Sequence, residues 1–267
     1  MGRILLKEIE NVKEKLIINV WNFLNTYIDE KYRLAPVWGE RSKIVDFYCK
    51  GKGIEIGASG YPIKINSRQI KKILYVDWVD RNIDTTIGTV EGVPYVHVDI
   101  IDDAEKLDKI RDKSLDFIIH CHVLEHCRNP INVIRTQMSK LRRGGVLFIA
   151  LPNKSSTFDK KRPLTSWKHF ILDDEMISEE RDRGHFREYL QLASKFKGDI
   201  ESEIDRLLED DYRPHFHVWD FDSFYDFLLQ TNDRLNNLFI IEHYSENILR
   251  KGTAFETKEI ITVLRKR

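Results

Sequence analysis

The chain has 267 residues, enough to bury one sizeable core as an α/β domain carrying an elaboration. Its 43 lysines and arginines balance its 43 aspartates and glutamates, so no global field draws it to nucleic acid or to an anionic membrane, and any recognition of anions must be local. Three cysteines, Cys49, Cys121 and Cys127, lack the paired spacing of a secreted disulfide framework and read as reduced thiols of a cytoplasmic protein.

At the amino terminus Lys7, Glu8, Glu10, Lys13, Glu14 and Lys15 interrupt the apolar residues before a signal-peptide core can form, and no stretch reads as a membrane span. Leu5, Ile9, Val12, Leu16, Val20, Leu24 and Tyr27 recur at three- and four-residue steps, which predicts an amphipathic helix. Its expected role is to pack on the domain as part of a helical cover over residues 1–50, with docking to a partner left open. "RLAPVWGE", residues 33–40, reads as a turn.

A different periodicity begins in "GKGIEIGASGYP": Ile54 and Ile56 bracket Glu55 in a short strand, and Gly57 to Pro62 must turn. "KKILYVDW" is a second strand ending at Asp77, "VPYVHVDI" a third ending at Asp99, "SLDFIIHC" a fourth and "GGVLFIALPN" a fifth, with "PINVIRTQMSKLRR" a helix between the last two. Strands separated by helical or long connections predict a mostly parallel, doubly wound sheet, which binds ligands at the carboxyl ends of its strands. Gly57, Asp77, Asp99 and His120 all fall at such ends. From about Pro152 to Asn237 the alternation stops in a charged, aromatic, histidine-rich segment. "LFIIEHY" and "EIITVLRK" then read as a closing pair whose last strand runs antiparallel.

The first turn offers only two of the glycines of a dinucleotide fingerprint and no Walker lysine, and Glu55 beside it suits a cationic cofactor better than a phosphate. In order, "IEIGASG", "YVDW" and "SLDFIIHCHVLEHCRNPINVI" followed by "LRRGGVLFIALPN" resemble the class I S-adenosylmethionine-dependent methyltransferases over roughly residues 50–153. More narrowly, "GIEIGASGYP", "FDKKRPLTSWKHFI" and "HFHVWDFDSF" are similar to a subgroup found among bacterial surface-polysaccharide and capsule biosynthesis proteins, which extends the resemblance to about residue 225.

The resemblance implies a Rossmann-like, doubly wound, mostly parallel seven-stranded sheet with an inserted helical lid. Its parts are the cofactor-binding core over 51–153, an acceptor-binding lid over 154–237 and a closing β-hairpin over 238–267. It also implies roles for matching residues. Gly57, Ala58 and Gly60 let the loop pass S-adenosyl-L-methionine, and Glu55 lies near the cofactor ammonium or organises the loop. Asp77, with Trp78, accepts hydrogen bonds from the ribose hydroxyls. Asp99 and Ile100 face the adenine, and His120 flanks the methionine moiety. Many members carry a further glycine where Tyr61 and Pro62 stand here, so this first loop is stiffer.

His122 to His126 spell H-x-x-E-H, the signature of a class of zinc peptidases. The apolar run ends just before them, which puts the stretch in a strand-to-helix transition rather than in a regular helix, and no metal is expected. His122, His185, His215 and His217 are the candidate general bases for an acceptor hydroxyl. Arg162, His126 and Arg187 are candidate acceptor contacts. In "PHFHVWD", alternation puts His215, His217 and Trp219 on one side of an extended segment leading to a helix cap at Asp220.

The expected activity is O-methylation of a sugar or sugar-linked precursor, a small-molecule acceptor. The alternatives are methylation of a phosphate or phosphoramidate oxygen of a nucleotide-linked capsule precursor, a non-catalytic cofactor-binding module, and the zinc peptidase. Oligomeric state is left open.

Overall fold

The computed structural model describes residues 35–80, 96–176, 178–194, 196–249 and 256–267. The amphipathic helix expected over Leu5 to Tyr27 lies outside them, as do residues 93–95 of the expected third strand. The first described element, helix α1 (Ala35–Tyr48), replaces most of the expected turn. Pro36 falls in its first turn, where a missing N–H costs no intrahelical bond, so the proline opens a helix here.

Seven strands form one open sheet: β1 (Gly51–Ile56), β2 (Ile70–Asp77), β3 (Ile100–Ile101), β4 (Leu115–Cys121), β5 (Leu141–Pro152), β6 (Phe239–Leu249) and β7 (Thr257–Lys266). Their order is β3-β2-β1-β4-β5-β7-β6. The first five are parallel, and β7 enters antiparallel between β5 and β6. The chain steps outward from β1 to β3 and then returns to the other side of β1, which creates a switch point between β1 and β4. The third strand is shorter than expected and starts after Asp99. The Asp99 carboxylate takes the Tyr75 amide at 2.8 Å, while its own N–H donates to Tyr75 O at 2.9 Å, so this residue begins the pairing.

Both faces of the sheet are covered, which is why its central strands read as continuous apolar runs. In β5, Leu147, Ile149 and Leu151 join one core with Ile131, Ile134 and Met138 of helix α2 (Pro130–Lys140). Val146, Phe148 and Ala150 join the other, with Ile44 and Val45 of α1. The period of two along the strand produces this division.

Between β5 and β6 run two short 3-10 turns (Lys154–Ser156 and Phe158–Lys161) and four helices: α3 (Trp167–Glu175), α4 (Glu179–Leu192), α5 (Ile200–Glu209) and α6 (Phe221–Arg234). Ser166, Ser178, Asp199 and Asp220 cap the four, each accepting a backbone N–H of its first turn. Helix α6 packs Phe224, Phe227 and Leu228 into the sheet's own core. Helices α4 and α5 instead close a separate small core around Phe186, Leu190, Ile204, Leu207 and Phe216. Among the described residues no helix is long and apolar enough to cross a membrane.

Candidate active site

At the end of β1 the chain turns at Gly57, whose φ of +67° lies in the left-handed region. A Cβ there would stand 2.7 Å from Val123 Cγ2, so the β1 and β4 loops approach as closely as they do only because residue 57 has no side chain. Tyr61 N–H donates to Ala58 O at 2.8 Å, closing the turn that holds Gly60. The buried Glu55 carboxylate accepts the Ile63 amide at 3.0 and 3.2 Å. It ties the stiff Tyr61-Pro62 loop back to its strand. Burial pushes the Glu55 carboxyl up to about 7, against the pull of the Ile63 amide and the Arg41 charge.

Asp77 ends β2 with its side chain buried, and its carbonyl receives Asp102 N–H at 2.9 Å. The Arg213 guanidinium lies over the Trp78 ring, 4.4 Å from its centre. His120, opposite Ile56 and Ile149 in the sheet, is fully buried with neither ring nitrogen hydrogen-bonded. Burial lowers its pKa to about 4, so it is neutral near pH 7.

His122 follows β4 at a φ of +56°. Its Nε2 receives an Arg41 N–H at 3.0 Å, and since arginine only donates, the imidazole proton belongs on Nδ1, 3.5 Å from Glu125 Oε1. Behind it lies Glu259 of β7, fully buried, which accepts Arg41 Nε at 2.9 and 3.0 Å and Asn247 Nδ2 at 2.6 Å. Glu259 Oε2 is 3.5 Å from His122 Nε2. Burial alone would raise the Glu259 pKa, but His122 and the Arg41 guanidinium outweigh it and bring the pKa down to about 2.

Leu124–His126 make a single 3-10 turn. His126 Nδ1 donates to the carbonyls of Arg213 and Pro214, at 2.7 and 3.1 Å, while His122 turns to Arg41. The two rings of the H-x-x-E-H stretch therefore share no helix face. The possible metal-ligand groups among the described residues include His126 but not His122.

These strand ends enclose a cavity of about 760 Å³, within the usual range for a small-molecule site. Gly57, Asp77, Trp78, His122 and His126 meet in its walls, and Asp102, Asp210, Asp211, Tyr212 and Arg213 complete them. Arg213 is the one cation among the described lining residues, and it is paired with Asp103 at 2.9 Å and Asp211 at 3.2 Å.

The other expected acceptor residues gather elsewhere. His217 Nε2 lies 2.9 Å from Asp173 Oδ2, and His185 Nε2 lies 3.4 Å from Asp173 Oδ1. Burial lowers the His217 pKa to about 3 despite that carboxylate. His215 Nδ1 bonds Asp159 at 2.5 Å, and its ring packs on His126 with centres 4.7 Å apart. Arg162 is 1% exposed and binds Asp159 and Glu188, both at 2.8 Å, with the carbonyls of His215 and Phe216 at 2.6 and 3.1 Å. Arg187 joins α4 to Glu201 of α5 at the surface. The alternation in "PHFHVWD" put His215, His217 and Trp219 on one side, but all six residues from Pro214 to Trp219 are buried, with α3, α4 and the turns around Asp159 supplying partners on both sides. Sequence reasoning missed Arg41 and Glu259, whose partnership spans 218 positions, and Asp102 and Arg213. Only the last two carried a signal, an acid just past a strand end and a cation beside the histidine-rich run.

A family model described as a methyltransferase domain matches residues 27–194. No curated protein sequence matches the chain. Among solved structures, one from Listeria monocytogenes, provisionally named an S-adenosylmethionine-dependent methyltransferase, is 15% identical with a TM-score of 0.52, the match covering 88% of this chain and 98% of that one. Another, from Bacillus halodurans C-125 and provisionally named a methyltransferase, is 12% identical with a TM-score of 0.46, covering 85% and 99%. At such identity the Listeria structure speaks for the fold: a seven-stranded, mostly parallel sheet with flanking helices.

Proposed function

Since the chain belongs to the methyltransferase-domain family, we propose that it transfers a methyl group from S-adenosylmethionine to a hydroxyl oxygen of a sugar or sugar-linked precursor. The cavity at the strand ends supports the donor. The side-chain-free approach at Gly57, the carboxylate of Asp77 and the acidic Asp102 suit a ligand that presents hydroxyls and positive charge. When bound, the donor supplies an electrophilic methyl carbon. The chain's residues hold it, orient the acceptor and remove the acceptor's proton.

The observation that carries the hydroxyl reading is the charge of the cavity wall. Four aspartates line it, Asp77, Asp102, Asp210 and Asp211, of which Asp210 is paired with Arg206 and Asp211 with Arg128, and the lining's own cation, Arg213, is spent on Asp103 and Asp211. An anionic phosphate oxygen would find no uncommitted arginine or lysine among the described lining residues, whereas hydroxyls can donate to carboxylates. The arginines that could clamp a phosphate acceptor are committed to other partners: Arg162 to Asp159 and Glu188, Arg181 to Asp173, and Arg183 and Arg187 to Glu201. The sugar class itself rests on the sequence resemblance of the segments around Arg162 and His217. In this reading residues 154–237 are the lid whose 210–213 run forms the acceptor wall.

His122 is the general base. It takes the hydroxyl proton at Nε2 once the Arg41 N–H releases that nitrogen, and Arg41 keeps Glu259 as its partner when it does so. The imidazolium then lies between two carboxylates, Glu125 beside Nδ1 and Glu259 beside Nε2, each at 3.5 Å. Single-turnover transfer of labelled methyl to a panel of nucleotide-linked sugars tests this. His122→Gln should lower the rate by about a hundred- to ten-thousandfold and abolish its fall on the acid side. A near-normal rate with an unchanged pH profile would rule His122 out as the base.

A further inference from the structure

Three histidines and an aspartate meet away from the cavity. His169 and Asp173 lie one turn apart on α3, His185 comes from α4, and His217 from the extended segment before α6. One donor atom from each lies within 4.8 Å of the other three. The Asp173 carboxylate is the common partner. His217 Nε2 and His169 Nε2 are 2.9 and 3.2 Å from Oδ2, and His185 Nε2 is 3.4 Å from Oδ1. Arg181 donates to Oδ1 as well, through Nε at 2.9 Å and through a terminal nitrogen.

Five nitrogens are thus aimed at one carboxylate, which offers about four lone-pair sites. The arrangement is overfilled, and it shows: His169 Nε2 is buried yet makes no hydrogen bond with acceptable geometry. Imidazole nitrogens crowded this way are better satisfied as acceptors toward a cation than as donors toward one aspartate. Their spacing suits one. Ligand nitrogens and oxygens about 2.0–2.2 Å from a tetrahedral zinc ion stand roughly 3.3 Å apart. One of the rings is also oriented from behind: His185 Nδ1 is held by the Phe216 carbonyl at 3.2 Å, which leaves Nε2 free to ligate.

We propose that His169, Asp173, His185 and His217 bind one zinc ion in a closed four-ligand site that pins α3, α4 and the segment leading to α6 together. Four protein ligands leave no open position, so the ion is structural. The partly exposed His169 gives it an entry path. The segment it pins carries Tyr212 and Arg213 of the cavity wall a few residues upstream. This site is separate from the H-x-x-E-H stretch and does not depend on the acceptor proposed above.

The full chain, stripped with a chelator and titrated with zinc in a calorimeter, should bind one equivalent, and the thermal midpoint should rise by about 5–10 °C when zinc is present at a hundredfold excess over its Kd. Cobalt in place of zinc should give the visible spectrum of a tetrahedral site with nitrogen and oxygen ligands, a readout that needs no variant. His169→Gln, chosen because that ring is the least buried of the four, should keep the fold by circular dichroism and lose zinc affinity at least tenfold. His122→Gln should bind zinc like the wild type. Absence of zinc binding by the folded wild-type chain would overturn the proposal, and so would His169→Gln and His185→Gln both binding zinc as tightly as the wild type.

Discussion

Replacing Glu259 with glutamine keeps the side chain's shape and removes its charge. The carboxylate is fully buried, and its main partner, Arg41, is only 6% exposed, so the variant strands a guanidinium in the core. Breaking a buried pair from one side costs about 3–5 kcal/mol. The shift of the Glu259 pKa from 4.5 to about 2 gives an independent figure: some 2.5 units at 1.36 kcal/mol per unit is about 3.4 kcal/mol. The two agree in order of magnitude.

The sign with pH follows from the same shift. A carboxyl whose folded pKa is depressed contributes stability that is complete above its unfolded value and declines as pH falls toward its folded value. For Glu259 the window runs from about 4.5 down to about 2. Urea unfolding of the wild type and Glu259→Gln at pH 7 and pH 4 measures it. The difference should be about 3–5 kcal/mol at pH 7 and about 1 kcal/mol smaller at pH 4. A variant as stable as the wild type at pH 7, or a gap that does not narrow on acidification, would refute the argument that ionised Glu259 holds Arg41 in the core.

Two further outcomes are expected. Asp77→Ala should weaken S-adenosylmethionine binding by calorimetry at least tenfold with circular dichroism unchanged, since each charge-assisted hydrogen bond to a ribose hydroxyl is worth about 1.5–3 kcal/mol; equal affinity would remove that role. Arg162→Ala should act on stability, costing about 3–5 kcal/mol in urea unfolding by stranding buried Asp159, while the folded fraction binds the cofactor normally; a variant of normal stability with a raised acceptor requirement would restore Arg162 to the acceptor site.

The sheet is legible in the sequence because its two covered faces impose apolar runs; of the four strand-end residues expected, Gly57 and Asp77 line the cavity, while His120 is buried inside β4 and Asp99 starts the pairing of β3. Three boundaries differ from the expectation: the helix expected through Arg143 ends at Lys140, with β5 starting at Leu141, and the other two have local reasons. Pro36 signals a turn or a helix start equally well, and Asp99 pairs with Tyr75 through side chain and backbone together, so the strand begins where the sequence suggested it should end. The Arg41–Glu259–His122 linkage left no trace at all. Its members come from α1, β7 and the β4 loop, and a residue's ionic partner is set by three-dimensional placement that no periodicity encodes.

The same holds for the segment between β5 and β6, whose resemblance implied an acceptor-binding lid over 154–237. Its arginines and histidines were conspicuous in sequence, but the acids that satisfy them, Asp159, Asp173, Glu188 and Glu201, were not, because a carboxylate that caps, pairs or solvates looks the same in a string of letters. In the structure Arg181, Arg183 and Arg187 of "RDRGHFREY" and Arg162 of "DKKRPLTSWKHF" are spent on those acids. What reaches the cavity from the segment is the short 210–213 run beside it, and that run brings two aspartates, a phenol and one paired arginine. The buried contact in which Phe216 N–H donates to the Glu125 carbonyl at 2.7 Å ties the segment that follows this run to the turn that carries His126. The stretch that spells a zinc-peptidase signature thus lines one cavity from two sides, with His122 held by Arg41 and His126 bonded to the Arg213 carbonyl.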